Sequence, residues 1–119
     1  MDRKYDLEDR LIDFGVRMII LSKSLDFRCK AGHHLSGQLV RSGTSPGLHY
    51  GEAQGAESKK DFIHKMKIVL KELNETRANL KMIDRAKLSR SPDEIQRAIS
   101  ECTELIKIFE KSIQTARKR

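Results

Sequence analysis

Tryptophan is absent from these 119 residues, proline and cysteine occur only twice each, and there are four phenylalanines and two tyrosines. The two cysteines, Cys29 and Cys102, are too few for a disulfide scaffold and too far apart for a Cys-x-x-Cys redox or zinc motif. No apolar run approaches the ~20 residues of a membrane-spanning helix. Acids and bases run through the first 25 residues, unlike a secretory signal. Two free thiols in a reducing cytoplasm, with no membrane partner, are therefore expected. Most of the few aromatics fall on apolar seams, which argues against stacking on bases in the manner of single-strand binders. Glycine is missing from residues 56–119, and six of the seven glycines lie between Gly32 and Gly55.

What is present is helical. Long glycine-free stretches rich in Leu, Lys, Glu, Ile and Ala favour helix, and no strand-like alternation or internal repeat occurs. Ser58-Lys59-Lys60-Asp61 has capping form, and Ser91-Pro92-Asp93-Glu94 places a cap, a proline and acids at a helix start. These signals predict helices at about 5–25, 31–56, 58–88 and 92–116, one domain over residues 1–119. Pro46 is the interruption within the second, at which it would kink or split.

Heptad-like spacing supplies each helix with a seam. The first has Leu7, Leu11, Phe14, Met18, Leu21 and Leu25; the third has Phe62, Met66, Val69, Leu73, Thr76, Leu80 and Ile83. The fourth has Ile95, Ile99, Cys102, Ile106, Phe109, Ile113 and Ala116, and the second a weaker Ala31, Leu35, Leu39 and Ser42. The fold class predicted is all-α, an antiparallel up-down-up-down four-helix bundle. Apolar residues are left over: Ile12, Val16, Ile19 and Ile20 on the first helix, Ile63, Ile68 and Leu70 on the third, Leu105 and Ile108 on the fourth. They mark either wide stripes or a patch that another copy covers, and self-association is the favoured expectation.

The formal charge is +7, and it is not spread evenly. Residues 1–25 and 26–58 are each neutral, residues 92–119 carry +1, and residues 59–91 carry +6. Lys60, His64, Lys67, Lys71, Asn74, Ala78, Lys81 and Arg85 repeat at four and three residues, and no acid interrupts them. This line lies about 140° round the helix from the apolar seam and should face solvent. A rigid line of bases suits a phosphate backbone, RNA or DNA, without reading bases; Lys60, Lys67, Lys71, Lys81 and Arg85 are its candidate contacts. The plain alternative is a solvated lysine face. In an oligomer the stripe repeats and its field adds.

Catalytic signatures are weak. His33 and His34 diverge on a helix, and Asp61-x-x-His64, the one near match to a di-iron motif, sits on the outward basic line. Gly43-Thr44-Ser45-Pro46-Gly47 lacks the spacing and the Gly-Lys-Ser/Thr ending of a phosphate loop. Cys102 reads as a core residue and Cys29, between Arg28 and Lys30, as an incidental loop thiol. No enzyme activity, metal or cofactor is expected.

Residues 41–76 carry a longer pattern: Arg41-Ser42-Gly43-Thr44-Ser45, then Tyr50-Gly51-Glu52-Ala53-Gln54-Gly55-Ala56-Glu57-Ser58, then Asp61-Phe62-Ile63-His64-Lys65-Met66-Lys67-Ile68 and Leu70-Lys71-Glu72. With Tyr5-Asp6-Leu7-Glu8 and Ser112-Ile113, this resembles the four-helix-bundle family of ribosomal-RNA intervening-sequence proteins. That family is related to the accessory variability protein of diversity-generating retroelements. The resemblance implies a homopentamer without enzymatic activity and, from the retroelement relatives, partners that include nucleic acid and a reverse transcriptase. It also implies structural or interface roles for Arg41, Gly43, Thr44, Ser45, Tyr50, Glu52, Gln54, Glu57, Ser58, Asp61 and Phe62, with Arg41, Glu52 and Glu57 suited to buried or interfacial ion pairs. Where the family continues with a small apolar residue, Gly-Ala-Asn and Tyr, this chain has Pro46-Gly47-Leu48-His49-Tyr50. The competing reading is a protein-interaction scaffold of the same family with no nucleic-acid affinity of its own.

Overall fold

The computed structural model describes residues 6–119; Tyr5, the predicted start of the first helix, lies outside them. Four helices follow in order: α1, Leu7–Ser22; α2, Lys30–Gln54; α3, Lys59–Arg85; and α4, Pro92–Lys118. Among the described residues there is no strand, only an isolated antiparallel bridge between Leu25 and Ser89.

Each helix packs on its neighbours in sequence, and α4 closes back on α1, while α1 and α3 occupy opposite corners, their backbones apart and their side chains meeting only in the core. The seams supply the core. Leu11, Phe14, Met18 and Leu21 from α1 meet Met66, Val69, Leu73, Leu80 and Ile83 from α3, and Ile95, Cys102, Ile106, Phe109 and Ile113 from α4. The α2 contribution is smaller than its length suggests. Ala31 is exposed and Gly32 takes the buried position, followed by Ser36, Leu39, Ser42, Gly43, Pro46 and Ala53. With such small side chains α2 packs close. A Cβ on Gly43 would sit 2.4 Å from Cγ of Met18, so α1 and α2 approach to a distance that only glycine allows at that level.

Pro46 neither splits nor ends α2, which runs unbroken from Lys30 to Gln54. Proline withholds the N–H that would bond the Ser42 carbonyl. In the turn before it, the hydroxyls of Thr44 and Ser45 donate to the carbonyls of Val40 and Arg41, both at 2.7 Å. A buried polar contact joins α2 to α3, where the Asn79 amide donates to Ser42 Oγ at 3.1 Å. Between α1 and α4 the tie is ionic: the Arg10 guanidinium forks onto Glu101 at 2.7 and 2.8 Å and reaches Glu104 at 2.9 Å. The bond to Glu101 holds Arg10 firmly in its charged form.

The helix starts follow the capping signals in part. Asp6 caps α1 by accepting from Asp9 N, and Ser58 caps α3 by accepting from Asp61 N. Asp61 returns its carboxylate to the N–H of Glu57 rather than to the cap residue itself. Ser91 makes no side-chain cap although Pro92 and the acids follow as expected; its N–H instead donates to Ser89 Oγ at 2.9 Å. Helix α1 ends three residues earlier than predicted, because Leu25 leaves the helix to pair with Ser89.

Candidate nucleic-acid interface

The rotation of α3 about its axis is set by what it buries. Met66, Val69, Leu73, Thr76, Asn79, Leu80 and Ile83 are all buried between α2 and α4. The line from Lys60 through His64, Lys67, Lys71, Asn74, Ala78 and Lys81 to Arg85 is consequently exposed at every position. At ~1.5 Å per residue it extends about 37 Å. Its charges form two close pairs, Lys67 with Lys71 and Lys81 with Arg85, each about 6 Å apart along the axis, with the neutral Asn74 and Ala78 between them.

None of the five bases is in an ion pair among the described residues. The acids of α3 are turned away and mostly engaged. Asp61 pairs with Lys65, Glu72 accepts from His49 Nδ1 at 2.6 Å, and Glu75 pairs with Arg41. An unpaired, acid-free line of bases keeps its full hydration and counterion shell in the free protein. Counterion release on phosphate binding is then its available driving force.

The family-motif residues serve the fold. Gly43 is the close-approach point with α1, Thr44 and Ser45 bond back within α2, and Ser58 and Asp61 build the α3 start. The Tyr50 ring meets Phe109 edge-on at 5.6 Å, its hydroxyl accepts from Gln54 at 3.5 Å, and burial pushes its pKa up. Phe62 packs against the core. The ion-pair expectation is met within the chain by Arg41 alone. Arg41 pairs with Glu75 across α2 and α3, at an exposed position, and also takes Gln38. Glu52 and Glu57 are exposed on the last turn of α2 and beyond it, with no ion pair among the described residues.

Neither cysteine is incidental. Cys29 is the N-cap of α2, its sulfur accepting from Gly32 N at 3.4 Å. Cys102 is buried against the Leu73 carbonyl, and burial pushes its thiol up to about 12, which makes it inert as a nucleophile. Among the described residues no three His, Cys, Asp or Glu side chains are grouped to hold a metal, and no helix is long and apolar enough to cross a membrane.

A second surface lies at the opposite corner. Ile12, Val16, Ile19 and Ile20 of α1 are 51%, 49%, 40% and 61% exposed, and Leu48 of α2 is 70% exposed. All but Ile20 border a cleft of about 410 Å³ that Gly15, Thr44 and Gly47 also line. The surplus apolar residues of α3 and α4 have no such surface: Leu105 is buried, and Ile63, Ile68, Leu70 and Ile108 are half-buried.

Residues 3–111 match the family described as 23S rRNA-intervening sequence protein. Among solved structures, the chain is similar to a protein with unknown function from the S23 ribosomal protein family from Bacteroides thetaiotaomicron. The two are 33% identical, with a TM-score of 0.77, over 91% of this chain and 98% of that one. No curated protein matches.

Proposed function

The chain belongs to the 23S rRNA-intervening sequence protein family, and from that premise we propose that it is a non-enzymatic accessory protein that holds nucleic acid by its phosphate backbone. Lys60, Lys67, Lys71, Lys81 and Arg85 are the contacts. The observation that carries this reading is the exposure of all five on one helix face, with no acid on the line and, among the described residues, no ion pair to break before a phosphate binds. The α1 face gives the second half of the reading. Exposed isoleucines and a valine beside an apolar cleft fit burial against another copy, in a ring for which the family resemblance supplies the number five. Since α1 and α3 are diagonal, copies joined through α1 leave every α3 stripe free. Several stripes on one assembly bind a long nucleic acid with avidity that one stripe lacks. A reverse transcriptase receiving the nucleic acid is the partner implied by the retroelement relatives.

Replacing Lys67, Lys71 and Lys81 by Glu tests the stripe. Retention on RNA or DNA at ~0.1 M salt should be lost, because phosphate contacts dominate such binding, while the mass in light scattering stays that of the parent protein. A folded triple variant that binds as tightly as the parent rejects the stripe. The scaffold reading is favoured by the same α1 face, and predicts capture of a protein partner that is insensitive to salt and to the triple substitution.

A further inference from the structure

The end of the bundle where α1 passes to α2 and α3 passes to α4 holds an aromatic that the apolar seams do not use. Phe27 stands in the first loop, 44% exposed. Its ring packs against His33 at 5.2 Å, with 64° between the planes. It lines a cavity of about 460 Å³ together with Arg28, Lys87 and Arg90, a size that accepts one nucleotide. Arg85 closes α3, so Lys87 follows the basic stripe by only two residues and continues it into this cavity.

The loop that carries Phe27 is held from four directions. Asp26 N donates to the Leu88 carbonyl at 2.8 Å and Arg90 N to the Ser24 carbonyl at 2.9 Å, which joins the two loops as the Leu25–Ser89 bridge. The hydroxyls of Ser24 and Ser89 meet at 2.7 Å. Arg28 forks onto the Asp26 carboxylate at 2.9 and 3.0 Å. Beneath the loop, a Cβ on Gly32 would fall 1.7 Å from the Asp26 carbonyl oxygen, so the first turn of α2 admits the loop only as glycine. The exposed ring is thus displayed by a fixed support.

The charges around it are unequal in availability. Arg28 is committed to Asp26. Arg90 donates one amino group to the Lys23 carbonyl at 3.0 Å, and the side chain of Lys87, exposed and in the left-handed region at φ 55°, has no partner among the described residues. Lys87 and Arg90 are therefore the two bases left to meet an anion beside the ring.

We propose that this end of the bundle takes an unpaired nucleotide, its base stacked on Phe27 and its phosphates beside Lys87 and Arg90. This deepens the stripe reading and rests on it: α3 tracks the backbone, and the loop end selects for a strand with a free base. Bases in a duplex are already stacked on each other and offer no face to a side chain, whereas an unpaired base does.

The probes are a blunt RNA hairpin and the same hairpin with a short unpaired 3′ extension, titrated into the full chain. The parent should prefer the extended hairpin by about 10-fold, the scale of one base stacking on an aromatic. Phe27→Leu, which keeps an apolar side chain and removes the aromatic face, should bind both hairpins as the parent binds the blunt one. Phe27→Trp introduces the only indole in a chain without tryptophan, and its fluorescence should be quenched by the extended hairpin and not by the blunt one. A Phe27→Leu variant that keeps the preference, or an indole unmoved when the extended RNA is bound, overturns the inference and leaves the stripe standing. Binding of the blunt hairpin that survives the Lys67, Lys71 and Lys81 substitutions overturns the stripe instead. If the parent retains neither hairpin, both fall.

Discussion

The outer faces of α1 and α3 sit on opposite corners of one bundle and bury nearly the same kind of seam. Turned to solvent they are opposites. On α1 the face outside the seam carries Ile12, Val16, Ile19 and Ile20; on α3 it carries Lys60, Lys67, Lys71, Lys81 and Arg85. The core needs neither, since the buried residues of both helices lie on or beside their seams. A bundle of this size is stabilised from within, so its two outer faces are free to serve association on one side and charge on the other. The difference also separates their physics: apolar burial is little affected by salt, whereas binding through counterion release falls steeply with it.

The largest expected effect comes from removing the α1 face while leaving α3 whole. Ile12→Asp with Val16→Asp changes two half-exposed side chains, so the monomer should keep its fold by circular dichroism. The assembly should dissociate to a monomer mass in light scattering. Affinity for a long RNA should then fall by about 10²–10⁴, the avidity that linked sites supply, with the stripe residues untouched. An unchanged mass would mean that no contact between copies runs through this face. A fall in RNA affinity without dissociation would make α1 itself a nucleic-acid surface and end the division between the two faces.

A smaller effect tests how α1 is seated. Gly43→Ala drives a methyl to 2.4 Å from Cγ and 2.7 Å from Cβ of the fully buried Met18. Overpacking of that kind costs about 1–3 kcal/mol, and the better helix propensity of alanine offsets roughly 0.5–1 kcal/mol of it. Gly37→Ala is the control on the same helix, where the added Cβ meets nothing within 4 Å; it should stabilise by about 0.5–1 kcal/mol. Thermal melting should move in opposite directions for the two. A Gly43→Ala variant as stable as Gly37→Ala would mean that α1 shifts freely on α2.

How far these faces could be read from the sequence depends on whether their geometry is local. The α3 stripe was legible because its period and that of the seam belong to one helix, and burying Leu73 and Leu80 necessarily turns Lys71 and Lys81 outward. The surplus on α1 was legible as a surplus, but whether α2 covered it was not; the same signal on α4 ended with Leu105 buried. Partnerships between helices were opaque. Arg41 finds Glu75 rather than Glu52 or Glu57 because the relative rotation of α2 and α3 decides who faces whom. Pro46 reads as an interruption, yet α2 continues through it with two hydroxyls bonded back in the preceding turn. Phe27 was the aromatic hardest to place. Its exposure depends on Leu25 pairing with Ser89 and on Gly32 admitting the Asp26 carbonyl, contacts that no period of three or four residues announces.

The finest test narrows the neutral gap between Lys71 and Lys81. Ala78 is exposed and lies on the line between Lys71 and Lys81, where the charge is interrupted. Lysine there continues the spacing at no cost to the core, and its helix propensity is close to that of alanine, so stability should be unchanged. If the stripe lies along a phosphate backbone, Ala78→Lys adds one contact. The slope of log affinity against log salt should then steepen by about 0.9 on a duplex or about 0.7 on a single strand, and binding at low salt should tighten. The same lysine placed at Gln96, exposed on α4 and outside the α3 stripe, raises the net charge equally but adds no contact on the line. Net charge alone would tighten binding equally in both variants, whereas a located stripe responds only to position 78. Equal responses would return the surplus on α3 to an ordinary solvated face, and with it the contrast between α1 and α3 would be one of composition without function.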